Sequence, residues 1–158
     1  MGARSNVVIQ DGEERVYLYG HWMACRSIEH AAVGLRSDRF DDASYLARIV
    51  FESMIASSPG GEAGYGISAS LTDNQFAILV IDAKHGGWTP GEERTRGATS
   101  VWFEDRDGVR LSKTFAREEF LAIADTVPPW RETWGDEEHE CGFGRFLGEE
   151  DEPAALER

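Results

Sequence analysis

The sequence predicts an α+β fold, in which about three β-hairpins form one antiparallel sheet and two or three helices cover it. The chain has 158 residues and is 41% apolar, which suits one domain with a real hydrophobic core. Short extended runs flank turn residues at three places, and apolar residues recur at helical spacing between them. Strand–helix–strand alternation is too rare to favour a parallel sheet.

The first hairpin is predicted near the start of the chain. Residues 6–10 are rich in β-branched side chains, and the dipeptide Asp11-Gly12 is a strong turn signal. Residues 15–19 then alternate between aliphatic and tyrosine side chains. We therefore expect both strands to be covered on parts of both faces.

Two helices are predicted to follow this hairpin. Ser27 can cap a short helix that ends near Leu35, where apolar residues recur every three to four positions. A longer helix is predicted over residues 42–57, because Asp41 and Asp42 can cap it and its apolar side chains form one broad face. That face contains Tyr45, Leu46, Ile49, Val50, Met54 and Ile55. The Ser-Ser-Pro-Gly-Gly run from Ser57 ends the helix.

A second hairpin is predicted from residues 65–71 and 75–83, which flank the polar turn 72–74. Residues 76–81 lack alternation, and a run that is apolar on both faces fits a central strand.

The third hairpin is predicted from residues 99–104 and 109–112, around a turn at 106–108. Thr114 can then cap a last helix over residues 115–125, which Pro128 and Pro129 stop.

The distribution of charge predicts a globular domain, residues 1–134, and an acidic tail, residues 135–158, which we expect to be partly disordered. A domain that ends near Phe146 is the alternative. The net charge of the chain is −13, and residues 132–158 hold ten acidic and two basic residues, a net charge of −8. Only two lysines occur, which disfavours direct binding of nucleic acid. An acidic surface instead suits a basic host protein as a partner.

The composition also bears on location. The longest apolar run, residues 76–81, has six residues and is too short to cross a membrane, and no signal peptide is visible. Two cysteines are too few for a disulfide framework. We therefore expect a cytoplasmic protein, in the host cell cytoplasm if a phage encodes it.

The leading candidate site lies at the open end of the first hairpin. With a turn at Asp11-Gly12, residues 4–6 pair with residues near 18–21, so that one sheet end holds an arginine, an amide and an imidazole. Such groups could bind a small anionic ligand, and histidine carries protons near neutral pH. An ordinary sheet edge with a packed tryptophan is the structural alternative. The candidate residues are Arg4, Ser5, Asn6, His21 and Trp22.

A second candidate is the loop over residues 82–89, which contains His85, Trp88 and two glycines. It lacks the Gly-x4-Gly-Lys-Ser/Thr pattern of a phosphate loop, and a plain connector is the alternative. The sequence marks no catalytic residue, since no nucleophile or acid–base pair stands out. No cofactor is implied.

Metal binding is also not predicted. Two His–Cys pairs occur, His21 with Cys25 and His139 with Cys141, but their spacing is unlike that of common zinc modules.

The opening of the chain resembles a group of small uncharacterised bacteriophage and prophage proteins. The residues that carry the resemblance are Met-Gly-Ala-Arg-Ser-Asn-Val-Val-Ile, the Asp11-Gly12 turn and Tyr-Leu-Tyr-Gly-His21-Trp22, all within residues 1–22. After His-Trp, many members continue with Asp-Gly-Tyr-Pro, where this chain has Met-Ala-Cys-Arg. The resemblance implies an accessory protein of a phage or mobile element.

Two functional hypotheses follow. The first is a non-enzymatic accessory protein that binds a host macromolecule or a small ligand. The alternative is a small enzyme, or a nucleotide- or anion-binding protein, that acts at Arg4 and His21. An open cleft around these two residues would favour the second hypothesis.

Overall fold

Six strands form one mixed sheet in the computed structural model, which describes residues 3–56, 60–61, 63–87, 89–93, 95–129 and 142–148. The strands are β1 (Ser5–Asp11), β2 (Glu14–Gly20), β3 (Tyr65–Ser68), β4 (Ile78–Asp82), β5 (Ser100–Glu104) and β6 (Arg110–Ala116). The helices are α1 (Ser27–Arg36), α2 (Ala43–Ile55), α3 (Arg117–Ala124) and α4 (Gly144–Leu147), and a 3-10 turn (Ala24–Arg26) precedes α1. The predicted α+β class is confirmed.

The strand order is β3-β2-β1-β4-β5-β6, and every pairing is antiparallel except one. β1 runs parallel to β4, with Val8 opposite Val80, so the prediction of a wholly antiparallel sheet is wrong. The chain passes through β2, α1, α2 and β3 between these two strands. It can therefore return to the end of the sheet from which β1 started, and β4 enters beside β1 in the same direction.

The predicted second hairpin is also wrong, because β3 pairs with β2 and not with β4. β4 is buried on both faces and lies between β1 and β5, which confirms the central strand predicted within residues 76–81. A strand that is apolar on both faces is most stable in the middle of a sheet, between two long neighbours. β1 and β5 supply those neighbours for β4, and the four-residue β3 pairs with β2 at the edge.

The other two hairpins form as the sequence predicts. Asn6 lies opposite Tyr19 in the first one, and Gly12 begins its two-residue loop at a φ of 62°, a conformation that favours glycine. β5 pairs with β6 in the last one.

Two apolar clusters lie on opposite faces of the sheet. All four helices contribute to the larger cluster, which includes Val7, Ile9, Leu18, Leu79, Ile81 and Phe103 from the strands. The smaller cluster contains Val8, Ile78, Val80 and Trp102, with Tyr17 and Leu71 packed against it. Because successive side chains of a strand point to opposite faces, β1 and β4 supply both clusters.

Several helix details differ from the predictions. Asp42 caps α2 by accepting a hydrogen bond from the Tyr45 backbone N–H, as expected, but the Tyr45 side chain is exposed, with Arg39 stacked on its ring at 4.1 Å. Ser27 is the first residue of α1, and its hydroxyl donates to the Ala24 carbonyl. Thr114 does not cap the last helix.

Thr114 and Phe115 instead lie in β6, and α3 starts two residues later, at Arg117. Phe115 is buried opposite Val101 in the sheet, and this pairing outweighs the local capping signal.

The core extends beyond residue 134, the domain boundary predicted from charge. Phe143, Phe146 and Leu147 are buried in the larger cluster. Phe146 contacts three phenylalanine rings, with centroid distances of 5.4 Å to Phe103, 5.4 Å to Phe115 and 4.9 Å to Phe120. The other residues of the predicted tail, 135–141 and 149–158, lie outside the described residues.

We expect Phe146→Ala to lower the free energy of unfolding by about 3–5 kcal/mol, because it removes the ring that joins β5, β6 and α3. Val109→Ala is the control, since Val109 is 58% exposed and should change stability by less than about 0.5 kcal/mol. Urea denaturation of both variants measures the difference. Equal stabilities would show that α4 does not belong to the core.

Candidate functional site

The open end of the first hairpin holds the leading candidate residues. Ser5 lies opposite Gly20, so Arg4 and His21 come next to each other in the register, at the same end of the sheet. Beyond them, Ala3 bridges to Trp22, and the Ala3 carbonyl accepts from the Met23 backbone N–H at 3.1 Å. The turn geometry thus brings together the side chains that the sequence places at this end.

The connection between β3 and β4 crosses this end and binds Arg4. The guanidinium of Arg4 donates to the Asp73 carboxylate at 2.5 Å. The backbone of Arg4 is held as well, because its N–H donates to Gln75 Oε1 at 3.2 Å and its carbonyl accepts from the Gln75 N–H at 2.9 Å. Arg4 therefore holds a neighbouring segment of the chain.

Asn6 is fully buried and bonds the same connection. Its amide Nδ2 lies 3.3 Å from the Asp73 carbonyl and 3.2 Å from Asn74 Oδ1, and Asn74 in turn donates to the Phe76 carbonyl at 2.5 Å. The Asn6 Oδ1 and Ser5 Oγ atoms are buried without a hydrogen-bond partner among the described residues. We call Arg4, Asn6, Asp73, Asn74 and Gln75 the loop lock.

His21 and Trp22 lie beside the loop lock. The His21 Nδ1 atom is 3.0 Å from the Tyr19 hydroxyl, and the His21 backbone N–H donates to the Gly64 carbonyl at 2.7 Å. Burial raises the pKa of Tyr19, and the nearby Asp73 carboxylate raises it further. Trp22 packs edge-on against His21, with ring centroids 4.5 Å apart, and it is 58% exposed.

The best-formed surface cavities of the described residues are not built around the polar groups of the hairpin end. Four of these cavities, of 220–360 Å³, have linings that do not include Arg4, Asn6, His21 or Trp22. A catalytic site needs concave space in which a substrate can approach its polar groups. This arrangement suits a structural role for the polar groups and a contact role for Trp22.

The second candidate loop lies at the opposite end of the sheet, after β4. His85 Nδ1 is 3.3 Å from the carbonyl of the buried Asp41, whose carboxylate accepts from the Gly97 N–H at 2.9 Å. A Cβ atom at Gly86 would lie 1.6 Å from the Thr95 carbonyl oxygen. The glycine therefore permits two parts of the loop to touch each other. Trp88 lies outside the described residues.

The sheet carries a partly buried ionic network that the sequence does not predict. Arg15 forms two parallel hydrogen bonds, of 2.9 and 2.7 Å, with the Glu104 carboxylate, which also accepts from Trp102 Nε1 at 2.6 Å. Burial alone would raise the pKa of Glu104, but the bonds from Arg15 and Trp102 lower it. The hydrogen bond to Glu104 raises the pKa of Arg15. Residues 89 positions apart give no local signal for such a pair.

A histidine–serine pair also joins α1 to α2. His30 is 3% exposed, and its Nδ1 atom lies 2.7 Å from the Ser53 hydroxyl. Burial and, to a lesser extent, the positive charge of Arg26 lower the pKa of His30 to about 4. The imidazole is therefore neutral at pH 7 and stabilises the helix pair through its hydrogen bond.

The described residues contain no group of three side chains placed to hold a metal ion. Cys25 is disulfide-bonded, while His139 and Cys141 lie outside the described residues. A disulfide is more typical of an oxidising compartment, so the cytoplasmic location stays a prediction. None of the helices that the structure describes is long and apolar enough to span a membrane.

Comparison with known proteins gives no relative from which a function could be transferred. No family model, curated protein or solved structure matches this chain. The resemblance of residues 1–22 to phage proteins therefore stays a prediction. The geometry of the chain itself carries the functional argument.

We expect the free energy of unfolding to fall by about 3 kcal/mol between pH 7 and pH 4 because of His30. The unfolded chain binds this proton near pH 6.5, whereas folded His30 binds it only near pH 4. Stability is thus lost as the pH falls through this window. Urea titrations at several pH values should show a shallower decline for His30→Gln.

His85→Gln is the matched control, because His85 is exposed. If His30→Gln retained the full decline of the wild-type chain, the assignment of the proton to His30 would be wrong.

Proposed function

We propose that this chain is a non-enzymatic protein that binds another macromolecule, in the manner of a phage or mobile-element accessory protein. One observation carries the proposal: at the end of the first hairpin the polar groups bond one another, while the Trp22 ring is 58% exposed beside them. Exposed aromatic side chains on a rigid frame are typical of binding surfaces.

The bonding pattern weighs against catalysis. A general base needs a free lone pair within reach of substrate. The His21 Nδ1 atom is engaged by the Tyr19 hydroxyl, so this role is left to Nε2 alone. An anion clamp needs the arginine fork, but an Arg4 nitrogen already donates to Asp73. These contacts support a rigid hairpin end more than a reactive one.

Charge favours a basic partner. The net charge of −13 on 158 residues creates a field that speeds the approach of cationic surfaces and repels nucleic acid. Binding of this kind weakens with salt, because exposed charges more than about 10 Å apart are screened at 0.1 M ionic strength.

The test is quantitative capture from a host lysate by the tagged full-length chain, comparing wild type, Trp22→Ser and the control Val109→Ser. We expect a specific macromolecule to be retained by wild type and Val109→Ser. Trp22→Ser should reduce its retention at least about tenfold, as for a central aromatic contact. Equal retention by both variants, or no specific retention, would contradict the proposal.

The anion-binding alternative makes a different forecast. Isothermal titration with inorganic phosphate would then show binding by wild type that Arg4→Ala abolishes. We expect no phosphate binding by either chain, because Asp73 already occupies the arginine and repels an anion.

A further inference from the structure

We propose that the outer side of β3 takes an extended, basic peptide segment of a partner protein as a seventh strand of the sheet. The inference rests on the proposed function and names the place and the chemistry of the partner. We call the outer backbone of β3, together with the Ile67 side chain, the β3 edge.

The topology places β3 at the end of the sheet, with β2 on one side and no strand among the described residues on the other. The hydrogen bond next to β3 shows which of its backbone groups point away from β2. In that bond the His21 N–H donates to the Gly64 carbonyl at 2.7 Å, so Gly64 faces β2. Hydrogen bonding alternates along an antiparallel pair, so the N–H and C=O groups of Tyr65 and Ile67 face outward. Those groups match the pattern that an added strand would need.

The other edge of the sheet shows how this chain protects an edge. β6 carries Arg110 and Lys113, and Ser112 breaks its regular pairing with a φ of 61°. The Ser112 hydroxyl also bonds the Phe146 carbonyl at 3.1 Å, so α4 holds this irregular strand in place. Charges and irregular pairing are the usual devices against added strands.

β3 has neither device. Its sequence, Tyr-Gly-Ile-Ser, contains no charged residue, and Ile67 is 61% exposed. A Cβ atom at Gly66 would meet nothing within 4 Å, so the face around Gly66 is open. An open, uncharged strand edge with an exposed aliphatic side chain is a template for pairing.

Two surface cavities flank the β3 edge, one on each face of the sheet, and Ile67 lines both. The cavity on the helix side has a volume of 310 Å³ and is lined by Val16, Leu18, Ala47, Phe51 and Ile67, with Arg48 and Glu52 at its rim. The cavity on the other side has a volume of 220 Å³ and is lined by Tyr19, Gly66, Ile67, Ser68 and Thr72. An added strand alternates its side chains between the two faces and could fill both.

The net charge of the chain indicates which kind of partner fits the β3 edge. Two copies of this chain would each bring a net charge of −13, and β3 is only four residues long, so a paired edge between copies would be small and repulsive. A peptide with apolar residues at adjacent positions, one for each face of the sheet, and with flanking lysines or arginines satisfies both the cavities and the field. The structure therefore favours a basic extended segment over a second copy.

The first test selects peptides of about 12 residues from an unbiased display library on the immobilised full chain. We expect enrichment of sequences with adjacent apolar residues, which face the two cavities, and with net positive charge. The dissociation constant of the best peptide should rise at least about tenfold for Ile67→Lys and less than about twofold for Val109→Lys. Both positions are exposed, so neither variant should unfold the chain.

The second test uses that peptide with its backbone amides methylated at alternate residues, in two complementary versions. Strand addition predicts that one version loses binding and the other keeps it, because only alternate N–H groups face β3. Retention by both versions, equal affinity for Ile67→Lys and wild type, or an absence of enriched peptides would overturn the proposal. A concentration-dependent dimer that Ile67→Lys abolishes would also overturn it, in favour of a second copy.

These outcomes are distinguishable from a failure of the proposed function. If the lysate partner is captured equally by wild type and Ile67→Lys but lost with Trp22→Ser, the binding function stands and the β3 edge is not its site.

Discussion

The parallel pairing of β1 with β4 is the constraint on which the rest of this structure depends. Val8 and Val80 face each other across it, and both are fully buried. Each strand is apolar on both faces, so each is most stable at the centre of the sheet. Because the two strands run in the same direction, the chain must reach the start of β4 at the end of the sheet where β1 begins. The connection over residues 69–77 therefore crosses that end.

This crossing explains the polar residues at the start of β1. A loop that passes over a sheet end needs partners for its backbone groups, since buried polar groups without partners are unfavourable. Asn6 donates to the Asp73 carbonyl, and the Arg4 backbone exchanges hydrogen bonds with Gln75. The residue types that suggested a ligand site thus meet the requirements of the topology. Because β4 lies beside β1, the remaining side of β2 pairs with β3, and this short strand is the edge of the sheet among the described residues.

Local signals in the sequence predicted local structure well. The Asp11-Gly12 turn gave the first hairpin, Asp42 gave the start of α2, and the apolar run in β4 gave a central strand. The partner of β1 could not be predicted in this way, because parallel pairing joins residues about 70 positions apart and leaves no periodic signal between them. For the same reason, the polar run at residues 72–74 resembles a hairpin turn in the sequence, although it belongs to the connection between β3 and β4.

In the candidate site too, the sequence predicts the local arrangement but not the contacts with distant segments. Its residues at the hairpin end follow from the turn, and the structure places them together. Their partners Asp73, Asn74 and Gln75 come from a distant segment, so the sequence could not show that Arg4 and Asn6 are already engaged. At the other end of the chain, the charge of the acidic segment favours a domain end at residue 134 over one near Phe146, whose ring packs in the core.

The central claim is that the loop lock stabilises the fold by holding the connection between β3 and β4 at the end of the sheet. A double-mutant cycle of Asn6→Ala and Asn74→Ala, measured by urea denaturation, tests it most directly. The account predicts that each single variant lowers the free energy of unfolding by about 1–3 kcal/mol, because each leaves a buried group without its partner. The coupling energy between the two should be at least about 0.5 kcal/mol. The opposite result would be that both single variants are as stable as wild type and their effects are additive, while Asn6→Ala no longer retains the macromolecule captured from the lysate. That result would contradict a structural role for the loop lock.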